Sequence, residues 1–214
     1  MAAGPLVLFA LSAIRLPHRP PPVRYINKDY AMNKFWDHDS QFKPDGGFVS
    51  HSIKSYVLRG DMKRAEMWMQ HLVHLEAIPT SKAFLALIEG NAGDSMKALH
   101  YLNLMRNMSL SYPELKPPIR AYAFTLASLA LQGNSQAAES LYDEMKENGM
   151  SPDAFAYIAA YEAAKRGGAH KFTRHLQEEM RRLGYEGNRI AQKYFLWTII
   201  RAGKLDMARE YLDK

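Results

Sequence analysis

The sequence predicts an all-α protein, a right-handed α-solenoid of helix-turn-helix repeats of about 35 residues. Three observations lead there. Gly60, Gly93, Gly133, Gly168 and Gly203 follow one another at intervals of 33, 40, 35 and 35 residues. Five residues after four of them stands an alanine (Ala65, Ala98, Ala138, Ala208), with Thr173 in the remaining case, and a larger apolar side chain recurs as Leu72, Met105, Met145 and Met180. Pro79, Pro117 and Pro152 close successive units. Residue types that keep their offsets at such a period mark stacked supersecondary units, each too small to bury its apolar face alone.

Each unit reads as a helical hairpin. In residues 119–153, "IRAYAFTLASLALQGNSQAAESLYDEMKENGMSPD", the residues Tyr122, Leu126, Leu129 and Ala130 fall at helical spacing. Gly133 ends that helix because it accepts a left-handed backbone. Asn134 caps the next helix, and Asp61 and Asp94 are predicted to do the same after Gly60 and Gly93. Ala138, Leu141, Tyr142 and Met145 form the apolar face of the second helix, which Gly149 and Pro152 stop. The array then divides as 46–80, 81–118, 119–153, 154–188 and a shortened 189–214. The second unit is irregular, with a short first helix and an inserted "MSLSYPELKPP".

Composition narrows the classes of function. The 214 residues are 47% hydrophobic and contain no cysteine, which excludes disulfides, thiolate zinc sites and cysteine nucleophiles. Of the formal charge of +6, half lies in Arg15, Arg19 and Arg24, ahead of the first acidic residue, Asp29. The body is therefore close to neutral and is a poor binder of free nucleic acid by charge alone. Residues 1–24 carry an apolar run from Pro5 to Ile14, too short to span a bilayer, then arginines and prolines with no acid. That pattern suits an organellar targeting segment, mitochondrial first and plastid second, with an apolar arm packed on a partner as the alternative. Residues 25–45 read as an irregular arm or short helix covering the first repeat.

With these repeats on the page, the chain resembles the pentatricopeptide repeat family, 35-residue helical hairpins of organellar RNA-binding proteins. The resemblance covers residues 46–214. It is most specific in "AYAFTLASLALQGNSQAAESLYDEMKENGMSPD" and "AFAYIAAYEAAKRGGAHKFTRHLQEEMRRLGYEGN". A tetratricopeptide array, of period 34, would need Trp, Leu-Gly-Tyr and late Phe landmarks that do not occur here. The resemblance implies that RNA bases are read by the residue after the first-helix aromatic together with the last residue of the repeat. Those places are Ser50 with Thr80, Ala123 with Asp153, Ile158 with Asn188, and Lys193 in the last unit; in the second unit they are an ambiguous Leu85 with Pro118. Asp153 and Asn188 match the family's usual last residue. Ala123 and Ile158 depart from it and have no hydrogen-bonding group with which to discriminate bases, so packing against a neighbour is the competing role.

Arg59, Lys165, Arg166 and Arg201 recur just before the inter-helix glycines. In an array they would line one edge, where RNA phosphates could sit, although a cation in the last helical turn also serves the helix dipole. Catalytic constellations are thin. "DHD" at 37–39, His71 with His74, and His170 with His175 imply no complete metal site, and "EGNAGD" at 89–94 lacks the Lys-Ser/Thr of a phosphate-binding loop. Glu178 and Glu179 read as a charged outer face. No enzyme, cofactor, metal or transmembrane span is expected. The expected role is a scaffold of an organellar ribonucleoprotein, such as a mitochondrial ribosome subunit or associated factor contacting rRNA backbone and protein subunits; the alternative is a protein-only scaffold of an organellar membrane or respiratory complex. The final stripe, Met207, Ala208, Tyr211 and Leu212, with Phe195 and Trp197, is expected to leave an apolar end abutting another chain.

Overall fold

The computed structural model describes residues 46–74 and 78–213; the expected targeting segment at 1–24 and the expected arm at 25–45 lie outside them. Among the described residues every regular element is helical. The helices are α1 (Gly46–Leu58), α2 (Met62–His74), α3 (Ser81–Gly90), α4 (Ser95–Ser109), α5 (Ile119–Gln132), α6 (Ser135–Glu147), α7 (Ala154–Arg166), α8 (His170–Arg182), α9 (Arg189–Arg201) and α10 (Leu205–Leu212), with one 3-10 turn at Pro113–Leu115. Consecutive helices pair into five antiparallel hairpins. First helices also stack on first helices, α1 on α3, α3 on α5, α5 on α7 and α7 on α9. This is the expected all-α solenoid.

The repeat landmarks are its core. Ala65, Ala98 and Ala138 are fully buried, as are Leu72, Met105 and Met145, and Ala208 and Met180 are nearly so. The alanines let the two helices of each hairpin approach closely, and the long side chains fill the seam to the next unit. Gly60, Gly133, Gly168 and Gly203 take positive φ where the hairpins turn. Gly93 does not. There Asn91 caps α3, its side-chain amide donating to the Leu87 carbonyl at 2.9 Å, and Gly93 lies against Ala202 of the last unit. In the irregular second unit Leu115 of the 3-10 turn is buried and pins the insertion.

Asp61, Asp94 and Asn134 cap their helices as expected, accepting from the backbone N–H of Arg64, Lys97 and Ala137. Replacing Asn134 by Ala removes the side-chain acceptor that caps α6 and should cost about 1 kcal/mol, with Asn134→Asp close to wild type. Urea unfolding followed by circular dichroism measures both. Equal stability of all three proteins would mean that the cap contributes nothing.

Candidate nucleic-acid interface

The array curls on itself more tightly than a repeat period reveals. Arg201, at the end of α9, donates to Glu89 of α3 at 3.2 Å and to the Val57 carbonyl of α1 at 3.2 Å, while its guanidinium lies 4.8 Å from the Trp197 ring. The C-terminal ends of α1, α3 and α9 therefore meet. Burial raises the Glu89 pKa, opposed by the charges of Arg201, Arg120 and Lys54. Burial likewise lowers that of Arg201, opposed by Glu89. Each group is desolvated by the junction and partly compensated by the other.

Two clefts open on the first-helix side of this junction and share Arg120. One, of about 330 Å³, lies between the N-terminal halves of α5, α7 and α9 and is lined by Arg120, Phe124, Asp153, Phe155, Asn188, Ile190 and Tyr194, among others. Arg120, Phe155 and Ile190 are spaced by one repeat period. The aromatic floor is interlocked: the Phe155 ring stands 5.2 Å from Phe124 and 5.9 Å from Tyr194. Ile190 and Tyr194 remain 71% and 46% exposed, so apolar surface faces the opening.

Helix capping orients the polar groups at its rim. The Asp153 Oδ1 accepts from the Ala156 N–H at 2.8 Å, and the Asn188 Oδ1 from the Ala191 N–H at 3.0 Å. Asp153 is left with its second oxygen as an acceptor, and Asn188 with its amide N–H₂ as a donor. Acceptor and donor beside an aromatic floor suit the edge and face of a planar heterocycle.

The other expected reading places are disposed differently. Ser50 is buried and donates to the Gly46 carbonyl at 2.5 Å, and Thr80 donates to the Ser50 hydroxyl at 2.7 Å, so the first-unit pair is closed on itself. Ala123 and Ile158 are 0% and 5% exposed and do not line the cleft. Lys193 is exposed on α9. Of the expected phosphate contacts, Arg59 and Lys165 are exposed, with Lys165 over the Tyr161 ring at 6.0 Å. Arg166 lies 3.6 Å from the buried Glu162, and Arg201 is engaged in the junction. The four cations do not form one uniform exposed edge. Arg120, Phe155, Ile190 and Tyr194 were missed by sequence reasoning; the one-period spacing of the first three was the available signal.

At the far end, Phe195 is fully buried beneath Tyr211, ring centroids 5.3 Å apart, and Trp197 packs toward Phe124 at 6.4 Å. The exposed apolar end expected there thus reduces mainly to Leu205 and Leu212.

The fold and cleft define a helical-repeat protein with an aromatic-floored groove of about 330 Å³. No family model matches the chain. In sequence it is similar to two pentatricopeptide repeat-containing proteins of Arabidopsis thaliana, 23% identical over 141 residues (66% of this chain) and 30% identical over 76 residues (36% of this chain). The matches span 19% and 8% of those relatives. In structure it matches the pentatricopeptide repeat protein PPR10 from maize, with a TM-score of 0.60 and 19% identity over 86% of this chain and 26% of that one. PPR10 in complex with an 18-nucleotide psaJ RNA element matches with a TM-score of 0.57 at 18% identity, over the same shares of the two chains. The chain thus has the fold of a short helical-repeat array and is similar in sequence and structure to pentatricopeptide repeat proteins.

Proposed function

We propose that the chain is a non-catalytic RNA-binding scaffold of an organellar ribonucleoprotein, with the cleft between α5, α7 and α9 holding one or two bases of single-stranded RNA. The observation that carries this reading is the cleft itself: an aromatic floor, a carboxylate acceptor and an amide donor fixed by helix capping, and Arg120 at the rim. Stacking on Phe155 or Tyr194 would contribute about 1–3 kcal/mol per base, and Asp153 and Asn188 would select bases that present an N–H and a carbonyl respectively. Similarity to a protein solved with RNA supports the same assignment. Because the body is close to neutral, binding to free RNA is weak and partner proteins complete the contact. On that ground a mitochondrial ribosome subunit or associated factor is the particle we infer, with Arg59 and Lys165 as exposed auxiliary phosphate contacts.

Ultraviolet crosslinking in intact organelles, with sequencing of the attached RNA and mass spectrometry of the attached peptides, tests this. Reads concentrated at one site of ribosomal RNA, on peptides carrying Phe155 or Tyr194, are the expected result. Reads scattered over messenger RNAs would keep RNA binding and remove the ribosome. Background reads from a protein still in a large particle would leave a protein-only scaffold of a membrane or respiratory complex.

A further inference from the structure

The second cleft, of about 180 Å³, runs along α3 and is lined by Lys54 and Val57 of α1, Lys82 and Glu89 of α3, Arg120 and Arg201, with apolar neighbours. Four cations from four different hairpins line this cleft with one carboxylate, Glu89, which feels the charges of Arg201, Arg120 and Lys54. Only Arg201 is in ion-pair contact with Glu89, and among the described residues no ion pair neutralises Lys54, Lys82 or Arg120. Four cations against one carboxylate leave the cleft with an excess of positive charge, and like charges held near one another repel. An anion in the cleft would relieve that repulsion.

We propose that this cleft binds a phosphomonoester, the terminal phosphate of an RNA strand whose end bases lie in the adjoining aromatic cleft; the inference rests on the RNA reading of that cleft. Three features select a terminal phosphate over an internal one. The three available cations match a dianion, and a phosphomonoester carries about −1.5 to −2 charges near neutral pH, against a single charge on a phosphodiester. The cleft has about half the volume of its neighbour, 180 against 330 Å³, and holds a phosphate group in preference to a further nucleotide. One wall is the junction, where Arg201 bridges α9 to Glu89 and to the Val57 carbonyl. A strand that enters past Arg120 would run into that junction. Arg120 belongs to both clefts and lies where the last base would hand over to its phosphate.

The test uses the full chain and one short single-stranded RNA in four forms: 5′-phosphorylated, 3′-phosphorylated, hydroxyl at both ends, and circularised. Binding is measured by competition against a labelled strand at low salt, where weak electrostatic contacts are retained. The expected result is about tenfold tighter binding of one phosphorylated form than of the hydroxyl-ended strand, as one or two charge-assisted hydrogen bonds would produce. Which form wins fixes the strand polarity. The double variant Lys54→Gln, Lys82→Gln changes two exposed side chains. It should abolish the preference while leaving binding of the hydroxyl-ended strand within about threefold of wild type. Equal binding of all four forms overturns the terminal-phosphate site and leaves the RNA reading intact. Binding of none overturns both. A preference that survives in the double variant places the phosphate elsewhere and overturns this assignment.

Discussion

Replacing Glu179 by Ala should destabilise the array by about 2–3 kcal/mol, among the largest effects available to a single polar substitution here. Its carboxylate accepts from the Tyr142 hydroxyl at 2.6 Å, the Tyr157 hydroxyl at 3.2 Å and the Lys146 ammonium at 2.9 and 3.2 Å, with His175 and Arg182 each at 3.6 Å. These partners come from α6, α7 and α8, so one side chain ties two hairpins together across their seam. The rings stack around it, Tyr142 lying 5.7 Å from Tyr157 and 5.6 Å from Phe172. Truncation leaves two phenolic hydroxyls in a half-buried site without their acceptor, which costs more than the net value of the bonds lost. Glu179→Gln keeps an acceptor without charge and should lose about half as much. In a repeat protein the loss falls on an interface between units, so cooperativity should fall along with the midpoint. Urea unfolding monitored by circular dichroism reads both quantities. A Glu179→Ala protein as stable as wild type would show the network to be ornamental.

The same group sets a pH dependence. Burial alone would raise the Glu179 pKa, but the hydrogen bonds from Tyr142 and Lys146 and the charges of Lys146 and His175 outweigh it and hold the carboxyl below its ordinary value. A folded-state pKa below the unfolded one means that the stabilisation is complete above the unfolded pKa, about 4.3 for glutamate. It is lost as pH falls through the folded value. Wild type should therefore lose stability more steeply than Glu179→Gln below pH about 4.

Glu179 also shows where sequence reading stops. Beside Glu178 it reads as part of a charged outer face, and Glu178 is indeed exposed. The structure corrects the reading for Glu179, whose side chain is 12% exposed. Helical periodicity places a residue on a face of its own helix but does not say which neighbour covers that face. Arg201 teaches the same lesson at longer range. It reads as the last-turn cation of the fifth unit, yet it engages a carboxylate 112 residues away. Repeat spacing specifies each hairpin and its stacking on the next. The curvature that brings the fifth unit onto the first two arises from small rotations summed over every interface, and no local motif encodes that sum. Hairpins, caps and buried landmarks were legible for the opposite reason, since each depends on residues within a few turns of one another. The candidate cleft stands between these cases. Asp153 and Asn188 could be marked by their place in the repeat, whereas the shared role of Arg120 emerges only when α5 is seen beside both α3 and α9.

Phe124 joins the stability of the array to its proposed binding. It is 2% exposed, stands edge-on to Phe155 at 5.2 Å, leans on Trp197 at 6.4 Å and carries the Arg120 guanidinium 5.3 Å above its ring. It thereby holds α5, α7 and α9 together and forms part of the cleft floor. Phe124→Ala should cost about 3–5 kcal/mol, the transfer energy of the ring plus the cavity left behind. Phe124→Leu preserves most of the volume and should cost about 1–2 kcal/mol, chiefly the aromatic pairing and the perch for Arg120. The leucine variant separates the two roles. Where it is fully folded, its affinity for single-stranded RNA should still fall by about threefold to tenfold, because Arg120 loses its ring and the Phe155 floor loses its edge-on support. Thermal unfolding and RNA titration on the same samples decide the matter. A stable Phe124→Leu protein with undiminished RNA affinity would mean that the aromatic cluster serves packing alone and that RNA, if bound, lies on another face.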